Sequence, residues 1–234
     1  MNIATPYARL LNYEMLPFTV TDGIAALRKI EWCARISHRS EEAQTEDSWE
    51  RFIRAVVLQH GDWSVVEHAN ATVDMLVDRG ITHEIVRHRL FSFTQESTRF
   101  VNYEKKMPAS FVVPELPDDA VRAGNGEQVE LSASQWWRHA IKTAEDSYRG
   151  IISKGCPPQI ARSVFPNALA SRIIVTSNLR SWRHFLLMRT TREAHPQMRQ
   201  VTIPLLEQFK ASIPILFEDI EPMARQVENI AKGR

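Results

Sequence analysis

ATVDMLVDRGITHEIVRHRLFSFTQESTRF, residues 71–100, changes its pattern as it runs. Over 71–78 the chain alternates, with Val73, Met75 and Val77 set against Thr72, Asp74 and Asp78, the signature of a half-buried strand. After Gly80 the segment 81–89 is predicted as a short helix. A polar loop without helical period follows, carrying hydroxyl, amide and guanidinium groups up to Arg99. Strands mixed with helices, without regular βαβ spacing, favour the α+β class.

The flanks give the same reading. Upstream, Asp22 is placed to cap a helix through Ile24, Leu27 and Ile30, and 40–47 reads as a loop. Asp47 starts a second helix with Glu50 as its capping partner, and Gly61 ends it. Downstream, 111–113 is a brief strand and 118–128, with Gly124 and Gly126, a surface insertion. Ser132 and Gln135 form a capping box for a long helix closed by Gly155. Pro157 and Pro158 open a short helix through Arg162. Residues 173–176 are β-branched and read as a strand, and Asn178 caps the next helix. From Gln197 the tail is helical, with Pro204 and Pro214 as breaks or kinks. No internal repeat appears, and one domain over 1–234 is expected.

Bulk properties exclude more than they identify. The 234 residues are 44% hydrophobic and 24% charged, an ordinary globular balance. No apolar run approaches the about 18 residues that span a bilayer, and MNIATPYARL carries no export signal. Cys33 reads as core and Cys156 as a turn residue, with no metal-type spacing between them, so a reducing cytoplasm is the expected setting. A net charge of +1 gives no overall pull toward nucleic acid or anionic lipid. Yet residues 162–199 hold seven arginines (162, 172, 180, 183, 189, 192 and 199), no lysine and one acid, Glu193, which points to an anionic ligand.

Arg87, His88 and Arg89 close the predicted helix. Arginine offers fixed, permanently charged donors that match phosphate oxygens in pairs. Consecutive helical side chains diverge by about 100°, so this triplet would address ligands on two sides rather than one small ligand. A purely structural reading also stands, in which cations at a helix C-terminus meet its dipole. It leaves the dense polar loop beyond unexplained, where Ser97, Thr98 and Arg99 are close enough to surround one phosphate. His83 and His88 are five apart, which does not align them as metal ligands, so no metal is expected. Neither a GxGxxG fingerprint nor a phosphate loop is present.

The segment from Arg87 to Arg99 resembles the RHR-x7-S signature of the flavin-dependent thymidylate synthases, with Ser97 at its serine. The resemblance extends over most of the chain. HGDWSVVEH, residues 60–68, is similar to the family's HG-x-x-[ST]-x-x-EH block. Pro158-Gln-Ile-Ala-Arg162 followed by Pro166 resembles P-x-x-[IV]-AR…P, and Asn178-Leu-Arg180-Ser181 with Phe185, Leu186 and Arg189 resembles N-x-RS…FL…R.

The resemblance implies helices packed on a small, mainly antiparallel sheet and a defined reaction. A methylene from methylenetetrahydrofolate goes to carbon 5 of dUMP and is reduced to a methyl group by hydride from FADH2, which NADPH regenerates. It implies that Ser64, Arg87, His88, Arg89, Gln95, Asn178, Arg180 and His184 hold FAD. Around dUMP it implies Glu84, Arg87, Gln95, Glu96, Ser97, Thr98, Arg99, Arg162 and Arg189, with Arg189 polarising the uracil ring. His88 is the titratable group best placed to influence flavin or folate, and is expected to be catalytic with Arg189. It further implies a homotetramer with FAD between subunits.

The chain departs from the family pattern at several positions. Asp62 stands where histidine is common, Val65 where proline is, Thr94-Gln95 where Asn-Glu is, Phe100 where tyrosine is, His184 where asparagine is, and Glu84 where glutamine is. The alternative function is an arginine-rich nucleic-acid-binding module built on the C-terminal half, which would bind polynucleotides with steep salt dependence.

Overall fold

The computed structural model describes residues 1–11, 20–105, 107–116 and 131–225. The insertion expected over 118–128 lies outside the described residues. Strands β1 (Asn2–Ala4) and β2 (Tyr7–Leu11) open the chain, followed by α1 (Val20–Arg35) and α2 (Ser48–Ile53). Then come β3 (Asn70–Asp78), α3 (Arg79–Ile85), β4 (Ser92–Gln95) and β5 (Ser110–Val112). The remainder comprises α4 (Ala133–Ser153), α5 (Pro158–Ala161), β6 (Ala170–Asn178), α6 (Leu179–Arg189) and α7 (Pro196–Ser212). The class is α+β, as expected. No described helix is long and apolar enough to cross a membrane.

One sheet has the order β2-β3-β6-β4, and β1 pairs with β5 in parallel as a separate ribbon. The β3–β6 pairing is antiparallel. Leu179 N–H donates to Ala69 O at 2.9 Å, Thr72 and Thr176 share a hydroxyl bond of 2.9 Å, and Arg79 N–H donates to Leu169 O at 3.0 Å, a constant register along both strands. The β6–β4 pairing is antiparallel too: Glu96 N–H donates to Arg172 O and Ser177 Oγ to Leu90 O, each at 2.8 Å.

The contacts fall into two compact units. The first comprises Met1–Pro6, Leu76–His83 and Gln95–Arg172. Its core packs Phe111, Ile141, Tyr148 and Leu169, with Phe165 stacked on Tyr148 at 4.5 Å between ring centres. The capping box of α4 forms in full: Gln135 N–H donates to Ser132 Oγ (3.2 Å) and Ser132 N–H to Gln135 Oε1 (2.8 Å). The second unit comprises Tyr7–Met75, Glu84–Thr94 and Ile173–Arg234. Its core packs Trp182 of α6 against Phe209 of α7, and Phe209 against Phe217 beyond that helix, all fully buried.

Several expectations change. Helix α1 begins at Val20, so Asp22 lies inside it rather than at its cap. Helix α2 starts after Asp47 as expected, but the Asp47 side chain makes no capping bond and Glu50 turns instead to Arg54. The same helix runs on as a π-helical turn over Arg54–Gln59 before Gly61, at φ +83°, stops it. Pro204 sits within α7 without ending it. Cys33 is half-buried, not core. The polar side of β3 is not solvated: Asp74 is fully buried and accepts from Arg9 Nε (2.8 Å) and Nη2 (2.6 Å) on β2. The edge strand β2, whose arginine makes that burial tolerable, carries too short a pattern to be seen in the sequence. Strand β4 was hidden in the polar loop because its alternation has no apolar side.

Asn178 forms the expected cap, accepting from Ser181 N–H at 2.8 Å where β6 gives way to α6. Asn178→Ala is expected to cost about 1 kcal/mol of stability, and Asn178→Asp to recover most of it. Chemical denaturation checks both.

Candidate active site

Helix α6 has two faces. Trp182, Phe185 and Leu186 are buried, and Trp182 Nε1 donates to Ala71 O at 2.9 Å. Arg180, His184 and Met188, at i, i+4 and i+8, share the other face. They line a cavity of about 660 Å³ in the second unit.

The opposite wall comes from the turn after α3. This helix ends at Ile85, and residues 86–90 form turns, so Arg87, His88 and Arg89 are not helical. The expectation that they divide between two sides does not hold: all three line this one cavity. A turn removes the fixed angular spacing on which that expectation relied. Leu90 takes a left-handed φ of 66°, unusual for a branched side chain, and the Ser177 hydroxyl holds its carbonyl.

At the base of the cavity Arg189 meets His88. Arg189 Nε donates to His88 Nε2 at 2.9 Å, and Nη1 donates to Glu84 Oε2, also at 2.9 Å. Because His88 Nε2 accepts, the imidazole is neutral and carries its proton on Nδ1. Its ring lies edge-on to Phe185, with centres 4.9 Å apart. Burial pushes its pKa from the usual 6.5 down to about 4, with the Arg189 guanidinium and then His184 adding to the shift. On the rim, Arg180 pairs with Glu67 at 2.6 Å. Arg87 and Arg89 are exposed and have no acidic partner among the described residues.

A second cluster forms within the first unit. Gln95 Nε2 donates to Thr82 Oγ1 (3.0 Å) and Ser171 Oγ (3.1 Å), which leaves its Oε1 as an acceptor. Arg162 Nη1 donates to Thr98 Oγ1 at 2.9 Å, and Tyr103 OH donates to Glu96 at 2.9 Å. Ser97 Oγ accepts from Arg99 N–H at 3.3 Å, and the Arg99 guanidinium covers Phe100. Arg162 is thus a hydrogen-bonded group, not a merely solvated charge.

The model for the family described as thymidylate synthase complementing protein matches residues 19–215. The flavin-dependent thymidylate synthase of Mycobacteroides abscessus is 35% identical over 219 residues, 87% of this chain and 82% of that protein. The Corynebacterium efficiens enzyme of the same name is 35% identical over 183 residues, 76% of this chain and 70% of its own. The chain belongs to this family. It is therefore an enzyme. A UMP/dUMP methylase, PolB from Streptomyces cacaoi, solved with 5-Br dUMP, superposes with a TM-score of 0.69 over 93% of this chain and 96% of that one. At 23% identity this likeness bears on the fold.

Of the site residues expected from the sequence, Arg87, His88, Arg89, Asn178, Arg180, His184 and Arg189 share the first cavity, and Glu84 stands against Arg189. Gln95, Glu96, Ser97, Thr98, Arg99 and Arg162 belong to the first unit, with the bonds given above. Ser64 is apart from the first cavity; it lines another of about 750 Å³ in the second unit, with Arg35, Ser37, His38 and Asp62. The polar run that closes α1, from Arg35 to Ser40, was the available signal for that second cavity. Glu67, Leu90, Phe91, Ser181 and Met188 also line the first cavity, and only the EH block hinted at Glu67.

The arginines of 162–199 do not make a basic face. Arg183 is buried against Asp219 and the Leu216 carbonyl, Arg192 binds the Met223 carbonyl, and Arg199 binds those of Arg192 and Ala194. Nothing here supports the nucleic-acid-binding alternative.

The folded protein holds His88 below its unfolded value, so the unfolded chain binds more protons between pH about 4 and about 6.5. The stability tied to neutral His88 is therefore complete above that window and lost as pH falls through it. His88 is expected to titrate near pH 4 by NMR, and His88→Gln to flatten stability across the window. A midpoint near the ordinary histidine value would contradict the buried, neutral assignment.

Proposed function

We propose that this enzyme methylates dUMP to dTMP, with methylenetetrahydrofolate as carbon donor and FAD as bound cofactor. The reading rests chiefly on Arg189, a guanidinium fixed at the base of a cation-lined cavity beside a neutral imidazole. The names of the relatives, flavin-dependent thymidylate synthase and UMP/dUMP methylase, agree with it.

The cavity suits a dinucleotide that carries phosphates. Arg87 and Arg89 reach it without acidic partners among the described residues, and Arg180 shares its charge with one exposed carboxylate. Bound flavin would supply, from NADPH, the hydride that reduces the transferred methylene to a methyl group as tetrahydrofolate leaves. Asn178 and His184 add amide and imidazole groups to the same wall. Ser64 would serve the flavin from its separate cavity, an arrangement natural to a homotetramer with FAD between subunits, which is part of this proposal.

For dUMP, the guanidinium of Arg162, bonded to the Thr98 hydroxyl, and the neighbouring Ser97 and Arg99 are groups suited to the phosphate. Glu96 and the free acceptor of Gln95 are suited to sugar hydroxyls. Arg189 stabilises the negative charge that develops over N3, C4 and O4 when carbon 5 acts as nucleophile. It does so as a cation, since arginine does not accept protons at neutral pH. His88, neutral, can donate its Nδ1–H as a hydrogen bond. We further propose that residues 1–234 act as one catalytic domain in the cytoplasm.

Purified protein is expected to carry or take up flavin, visible as an absorbance band, and to form dTMP from dUMP with methylenetetrahydrofolate and NADPH. Arg189→Ala should lower product formation by a factor on the order of 100–1,000 while flavin binding is retained. A colourless protein that neither binds added FAD nor makes dTMP would remove the proposal.

A further inference from the structure

Glu84 lies in the last turn of α3 and touches the candidate site in one way. Its Oε2 accepts from Arg189 Nη1 at 2.9 Å. Arg189 Nε is meanwhile committed to His88 Nε2. A guanidinium held by one bond can still swing about it. Held at two nitrogens, the planar group has a defined orientation. Nη2 has no partner among the described residues, and this edge is what remains for a ligand.

The cavity lining separates the roles. Arg189 and His88 line the cavity, whereas Glu84 is not among its lining residues. A carboxylate set directly against an anionic nucleotide would oppose binding. Paired with the guanidinium, the same carboxylate is compensated by the charge it holds.

We propose that Glu84 is a positioning residue, one that acts on the substrate through Arg189 by fixing the guanidinium so that its free edge meets the uracil ring. The identity of the ring rests on the function proposed above; the Glu84–Arg189–His88 linkage does not. Glu84 therefore serves the rise of charge in the transition state rather than the affinity for nucleotide.

Kinetics and NMR on two variants test this. In Glu84→Ala, kcat for dTMP formation should fall on the order of 100-fold with KM for dUMP within about threefold of wild type. Glu84→Gln keeps an acceptor for Nη1 and should recover most of the lost rate. In isotope-labelled protein without nucleotide, the Arg189 Nε–H signal should exchange slowly in wild type and Glu84→Gln, and rapidly in Glu84→Ala. A raised KM at unchanged kcat would mean direct substrate contact and overturn the proposal. So would an Arg189 signal that ignores the alanine substitution. A wild-type enzyme that makes no dTMP would remove the functional reading alone, and the Arg189 signal would still decide the role of Glu84.

Discussion

The Leu179 amide bonds the Ala69 carbonyl at 2.9 Å, joining the start of β3 to the end of β6 at the residue where the chain turns into α6. Asn178 caps that turn, and Trp182, the fourth residue of the helix, inserts fully into the core with its indole N–H on Ala71. These contacts fix where α6 begins and how it is rotated about its axis. A one-residue change of phase would rotate its side chains by about 100°. Arg180 and His184 would then enter the apolar layer, and Phe185 would reach the cavity. The position of every cationic group on this helix is thus a consequence of strand register and of one buried indole.

Charge in the second unit is arranged by the same logic. His88 is partly desolvated and lies close to a permanent cation, and both effects favour the neutral imidazole. Neutrality is what lets Nε2 accept the Arg189 N–H, and that bond in turn keeps the guanidinium at the base of the cavity. Glu84 supplies the anion that makes a half-buried arginine tolerable. The result is a cation whose orientation is set before any ligand arrives. Such preorganised charge stabilises a developing anion without reorganisation during reaction.

Much of this was legible in the sequence, for local reasons. The capping groups Ser132, Gln135 and Asn178 act on backbone atoms a few residues away, and each does what its type and spacing predict. The alternation of β3 and the β-branched run of β6 announce strands, and three of the four family blocks hold most of the residues that line the first cavity. What escaped depends on distant partners. Asp74 reads as solvent-facing until Arg9 arrives from another strand. Arginine density over 162–199 reads as a ligand footprint, yet Arg183, Arg192 and Arg199 bind a carboxylate or backbone carbonyls of the fold. Glu50 looked like a cap but found Arg54 one turn on. In each case the residue type was informative and the partner was not.

The turn over 86–90 shows how local cost and site geometry are related. Had α3 continued to Arg89, its three basic side chains would have spread around the axis, as the sequence suggested. Ending the helix at Ile85 lets them converge on one cavity, and it requires Leu90 to adopt a left-handed conformation. That conformation costs roughly 1–2 kcal/mol for a residue with a side chain. Leu90 recovers nothing by burial, since its side chain is 84% exposed in the single chain. What offsets the cost is the Ser177 hydroxyl on the Leu90 carbonyl, a bond from β6, the strand that also ends in Asn178. One strand therefore fixes both walls of the cavity, the arginine-bearing turn through Ser177 and the start of α6 through Asn178.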